Sequence, residues 1–123
     1  MKTRFKTDQA IFNFVKTRLL KQGKRSTYNG VCQYRGSQGL RCAVGWLITD
    51  DNYSSYLEGA IVGNPRVNTA LEASGVFMNP STRALLDRLQ TIHDKRKPCT
   101  WPAAFRTLHF NAYGMYTGKR WRP

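Results

Sequence analysis

Cys32 and Cys42 flank the stretch CQYRGSQGLRC (32–42), and His93-Asp94 is the histidine–carboxylate pair that would serve them in nucleophilic chemistry. A thiolate attacks only when a neighbouring base or positive charge lowers its pKa. Arg35 and Arg41 lie close to the cysteines in sequence, whereas His93 and Asp94 reach them only through the fold. Buried cysteine also serves as a small hydrophobe, and that structural reading is the one we favour here. The four residues Cys32, Cys42, His93 and Asp94 remain the catalytic candidates of a weaker, enzymatic alternative, a Cys/His-dependent hydrolase or transferase. A zinc site would have to draw on Cys32, Cys42, Cys99 and either His93 or His109. Structural zinc ligands come in pairs two to four residues apart, and the closest spacings here are Cys32-x9-Cys42 and His93-x5-Cys99. No metal and no cofactor is expected. Asp50, Asp51 and Glu58 do not have the spacing of an EF-hand loop. The GxxxxGK[ST], GxGxxG and GxSxG patterns are absent, which leaves nucleotide hydrolysis, dinucleotide binding and lipase-type chemistry without support.

Charge is the stronger signal. The 123 residues carry a net charge of +13, distributed as +7 over residues 1–25, −1 over 26–94 and +7 over 95–123. Chain ends often lie together on a domain surface, so one basic face fed by both ends is expected, suited to nucleic acid or to an acidic protein surface. Aromatics are interleaved with the cations, as in Arg4-Phe5-Lys6 and Arg120-Trp121-Arg122, the combination that stacking on unpaired bases requires. The residues expected to contact such a partner are Lys2, Arg4, Lys6, Lys21, Lys24, Arg25, Arg35, Lys95, Arg96, Lys97, Lys119, Arg120, Trp121 and Arg122. No helix-turn-helix, RRM or KH signature is present, so sequence-specific reading is not expected.

The elements that must position these residues follow from periodicity and punctuation. Asp8 is a cap for a helix running to Gln22 and stopped by Gly23, with Ile11, Val15 and Leu19 on its apolar stripe. The runs VCQY (31–34) and LRCAV (40–44), separated by RGSQG, predict a hairpin whose second arm passes into a short helical turn. Asn64-Pro65 and Asn79-Pro80 each open a helix, the second carrying Leu85, Leu89 and Ile92 and ending in Asp94-Lys95-Arg96-Lys97. Thr100 is expected to cap a last helix with Phe105, Leu108 and Ala112 on one face. The expectation is an α+β, mostly helical small single domain over residues 1–114, with about four helices and one short β-hairpin, followed by a basic C-terminal tail (115–123). A chain of this length buries roughly two-thirds of its unfolded surface, and an odd number of cysteines argues for reduced thiols. No apolar run approaches the ~20 residues of a membrane span, and MKTRFKTDQ lacks the apolar segment of a signal peptide. A cytoplasmic protein without membrane contact is therefore expected.

The pattern CxYRGxxGLxCAxGxLI (32–48), followed by Tyr53, Glu58-Gly59, LQxIHD (89–94) and Trp101, resembles a group of small uncharacterised proteins encoded by bacteriophages and bacteria. The resemblance covers about residues 10–110. It implies a phage accessory protein acting inside a bacterial host cell, and it groups Tyr34, Arg35, Gly36, Gly39, Cys42 and His93-Asp94 into one shared feature, either a fold element or a site. Taken with the basic ends, it leads to a binding protein that docks on nucleic acid or on a host nucleic-acid machine. An inhibitor covering an acidic groove of a host protein is a further alternative.

Overall fold

The computed structural model describes residues 3–118. Its α-helices are α1 (Asp8–Gln22), α2 (Ala43–Leu47), α3 (Pro65–Ala73), α4 (Pro80–Lys95) and α5 (Trp101–Phe105), joined by short 3₁₀ turns. The one β-sheet among the described residues is an antiparallel hairpin of β1 (Thr27–Tyr28) and β2 (Val31–Cys32). The protein is thus a small, mostly helical α+β domain.

Helices α1 and α4 form its frame, each roughly 22–24 Å long at 1.5 Å per residue. They run side by side in the same direction, because their ends are tied in matching pairs. At the start, the buried Asp8 carboxylate accepts the hydroxyls of Ser81 (2.6 Å) and Thr82 (2.5 Å). An acid here also suits the positive ends of both helix dipoles. At the finish, Arg25 donates to the carbonyls of His93 (3.2 Å) and Arg96 (2.8 Å), placing a cation at the negative end of α4. Between these ties Val15 and Leu19 pack with Leu85, Leu86, Leu89 and Ile92, against Val44, Leu47 and Ile48 from α2 and Trp101 from α5.

Local signals set most boundaries. Gly23 ends α1 in the left-handed conformation, donating to Leu19 O, and the Asn64 and Asn79 side chains cap α3 and α4 ahead of prolines. At α1 the cap is Thr7, one residue before the expected Asp8, which frees Asp8 to bind α4. Thr100 makes no side-chain cap, and α5 stops at Phe105; Leu108 is buried but Ala112 is exposed.

The hairpin lies elsewhere than the sequence predicts. Its turn is Asn29-Gly30, both at positive φ, as an Asn-Gly hairpin turn requires. The runs 31–34 and 40–44 form no strand ladder; they meet through the Cys42 N–H to Tyr34 O bond beside an isolated bridge between Arg35 and Arg41. The second run is turned into α2, where Cys42 Sγ accepts from Gly45 N at 3.4 Å. Gly45 then packs directly on Tyr34: a Cβ there would stand 2.0 Å from the Tyr34 carbonyl oxygen. Gly36 is equally confined, its missing Cβ lying 2.7 Å from Ser26 Oγ and Thr27 N.

The packed domain also extends past Gly114. Tyr116 is buried, pairs in a bridge with Phe110 and donates its N–H to Asp8 at 2.8 Å. Tyr116 thus packs onto the domain beyond Gly114, while Met115 and Thr117 are exposed. Lys2, Lys119, Arg120, Trp121 and Arg122 lie outside the described residues. No helix among those described is long and apolar enough to cross a membrane.

Candidate functional site

The fold brings Cys32, His93 and Asp94 together, with ligand atoms within 4.8 Å of one another. The order of partners decides what the cluster does. His93 is fully buried and stacks on Trp101 with ring centroids 5.6 Å apart. Its Nε2 accepts the backbone N–H of Ser26 at 2.9 Å, so the ring proton sits on Nδ1 and is donated to Asp94 at 2.6 Å. Both nitrogens are occupied, and neither can take a proton from Cys32. Burial and the Asp94 charge push the Cys32 thiol up from its ordinary pKa, opposite to what a nucleophile needs. A metal at Nδ1 would force a proton onto Nε2, facing the Ser26 donor. The trio is therefore a set of structural contacts joining β2, the start of β1 and the end of α4. Cys42 is fully buried, its thiol pushed up to about 12 chiefly by burial. It lies beneath α2 as a hydrophobe.

The remaining pattern residues also hold backbone in place. Glu58 accepts from Tyr34 N (2.8 Å), Arg35 N (3.1 Å) and Tyr53 Oη (2.6 Å). Tyr34 Oη donates to Ala60 O, Gln90 Oε1 accepts from Val44 N at 3.1 Å, and Trp101 Nε1 donates to Ile92 O at 3.1 Å. These contacts hold residues 34–60 together, tie that segment to α4 through Gln90 and join α5 to α4 through Trp101.

Three of the cations expected to meet a partner are used internally. Arg4 Nη1 donates to Leu47 O (3.0 Å) and Ser74 O (2.6 Å), Arg25 holds the end of α4, and Arg35 binds Asp50 (2.9 Å) and Ile48 O (2.8 Å). Lys6, Lys21, Lys24, Lys95, Arg96 and Lys97 are exposed. Lys6 precedes α1, a helix length away from the others. Lys24, Lys95, Arg96 and Lys97 are gathered at the shared end of α1 and α4 by the Arg25 bonds.

A second basic surface adjoins this cluster. Arg18 lies over the Phe14 ring, 3.7 Å from its centroid, and Arg4 faces the same ring at 5.5 Å. Arg18 and Arg41 both face Trp46, at 5.8 and 5.1 Å. Arg41 and Arg35 share Asp50 Oδ1 at 3.2 and 2.9 Å, and Arg35 lies over Tyr53 at 4.5 Å. The result is an alternating row, Arg4, Phe14, Arg18, Trp46, Arg41, Asp50, Arg35, Tyr53. A cleft of about 520 Å³ opens along it, lined by Thr17, Arg18, Lys21, Gln22, Gly39, Leu40 and Trp46. Among the described residues, no acid lines that cleft. Gln22 connects it to the end cluster, exchanging hydrogen bonds with Arg41 N (3.0 Å) and O (2.8 Å) and donating to Lys24 O (2.7 Å).

Arg18, Arg41, Phe14 and Trp46 escaped the sequence reading because charge counts give no weight to pairing across the fold. The available signal was Arg18 beside the apolar stripe of α1, with Phe14 one turn before it. Comparison with protein-family models, with curated proteins and with solved structures found no match.

Proposed function

We propose that this protein binds nucleic acid through the face formed by the second half of α1, the 39–41 loop, Trp46 and the shared end of α1 and α4. Arg18, Lys21, Lys24, Lys95, Arg96 and Lys97 supply the phosphate contacts. The observation that carries this reading is the acid-free cleft beside Arg18, in a chain of net charge +13. Arginine brings a planar fork of donors and lysine a mobile point charge, the usual pair for a polyanionic backbone. The resemblance to phage and bacterial proteins supports a phage accessory protein working in the cytoplasm of a bacterial host.

The test is fluorescence anisotropy with labelled oligonucleotides between 50 and 200 mM salt. Six neutralised phosphates weaken duplex binding about a thousandfold over that range, and single-strand binding several hundredfold. The double substitution Lys95→Glu, Lys97→Glu flattens the salt slope by about two contacts. Affinity that does not respond to salt, or no binding at 50 mM, refutes the reading. A host-protein complex that survives nuclease, from a protein that binds no oligonucleotide, would replace it with docking on an acidic protein surface.

A further inference from the structure

The nucleic-acid reading leaves open whether the cleft meets a paired or an unpaired strand. We infer that the Arg18 cleft is a subsite for an unpaired nucleotide, its base lying against the Arg18 guanidinium and its phosphate toward Lys21.

Arg18 places its guanidinium carbon over the Phe14 ring, 3.7 Å from the centroid. Among the described residues its guanidinium has no hydrogen-bond or ion-pair partner, in contrast to Arg4, Arg25, Arg35 and Arg41. Its five N–H donors are thus free to meet a ligand, beside the Phe14 and Trp46 rings. The neighbouring Arg4 is held below its ordinary pKa by burial and by the Arg18 charge.

The cleft walls favour a base over bare phosphate. Leu40 and the Trp46 ring are apolar surfaces, Gly39 adds no side chain, and the volume of about 520 Å³ lies within the range of small-molecule sites. In a duplex each base face is covered by its neighbours, and groove reading calls for a protruding helix or ribbon. Here the planar cation is recessed between α1 and the 39–41 loop. Unpaired bases stack on guanidinium planes as on aromatic rings.

The experiment compares three fluorescein-labelled probes of equal length at 100 mM salt: oligo-dT, an abasic strand with the same phosphates, and a duplex. One stacked base is expected to favour oligo-dT over the abasic strand by about 5- to 100-fold. Arg18→Lys keeps the charge but loses the plane. It should collapse that preference while leaving the salt slope unchanged, with an unaltered circular dichroism spectrum. Lys21→Ala should weaken oligo-dT and abasic strand equally. Equal binding of oligo-dT and abasic strand, or an undiminished preference in Arg18→Lys, overturns the subsite and leaves phosphate binding intact. Failure of all three probes at 50 mM salt overturns both.

Discussion

Replacing Glu58 by glutamine tests the keystone of the 33–60 segment. The carboxylate takes three donors, Tyr34 N and Arg35 N from the backbone and the Tyr53 hydroxyl, at 2.8, 3.1 and 2.6 Å. An amide of the same shape keeps one oxygen. With that oxygen placed where Oε2 serves Arg35 and Tyr53, the Tyr34 N–H meets an NH₂ group and loses its acceptor. A hydrogen bond to a charged group contributes about 1.5–3 kcal/mol, and the two that remain fall from charge-assisted to neutral strength. The expected loss is about 3 kcal/mol. At an m-value of ~1.5 kcal/mol per molar urea this lowers the denaturation midpoint by about 2 M, and it lowers Tm by roughly 12 °C in a domain of this size. Urea titration followed by circular dichroism measures it. Asp87→Asn is the control, because its 3.9 Å pair with Arg83 is half exposed on both sides and should cost less than about 0.5 kcal/mol. A Glu58→Gln loss as small as the control would refute the claim that this carboxylate pins the segment.

The thiols should label in the order of their surroundings. Cys99 is exposed and reacts first; Cys32 reacts more slowly than a free peptide thiol and faster in Asp94→Asn; Cys42 waits for unfolding. A Cys32 that outruns a free thiol would restore the enzymatic alternative. Stability should fall as pH rises from about 9 to 12. In the unfolded chain the Cys42 thiol ionises near 9.0 and the Tyr53 phenol near 10.0, whereas the fold holds both protons up to about 12, and burial raises the Tyr34 phenol as well. The unfolded state then binds fewer protons than the folded one, so the slope with pH is negative. Urea midpoints at pH 8 and 10.5 measure it, and a midpoint that holds or rises would contradict the assignment.

The sequence was most legible where structure is decided locally. Asn64-Pro65, Asn79-Pro80 and Gly23 each fix a helix boundary with their own local chemistry: α3 and α4 begin, and α1 ends, where those residues place them. It was least legible at 31–45, where alternating apolar residues imitate strand periodicity. There the outcome is set by Gly45 packing on Tyr34 and by Glu58, more than twenty residues away, supplying acceptors. The basic surface was partly legible, since Lys21, Lys24, Lys95, Arg96 and Lys97 are exposed. Only the fold, however, separates Arg25, which ties α1 to α4, and Arg35, which binds Asp50 and Ile48 O, from Arg18, which has no such partner among the described residues. Of the candidates for the enzymatic alternative, Cys32, His93 and Asp94 do meet and Cys42 does not join them, yet the Ser26 N–H that settles the histidine tautomer has no sequence signature.

The Asp8 carboxylate also has a temporal consequence. Its bond to Tyr116 N spans 108 residues, and its bonds to Ser81 and Thr82 span more than seventy. At a synthesis rate of 5–20 residues per second, α1 leaves the ribosome roughly 5–20 s before its last partner exists. Until residues 81–116 follow, Asp8 lacks the partners that fix the start of α1. The start of α1 is therefore fixed by partners far along the chain, although most contacts of the domain are between residues closer in sequence.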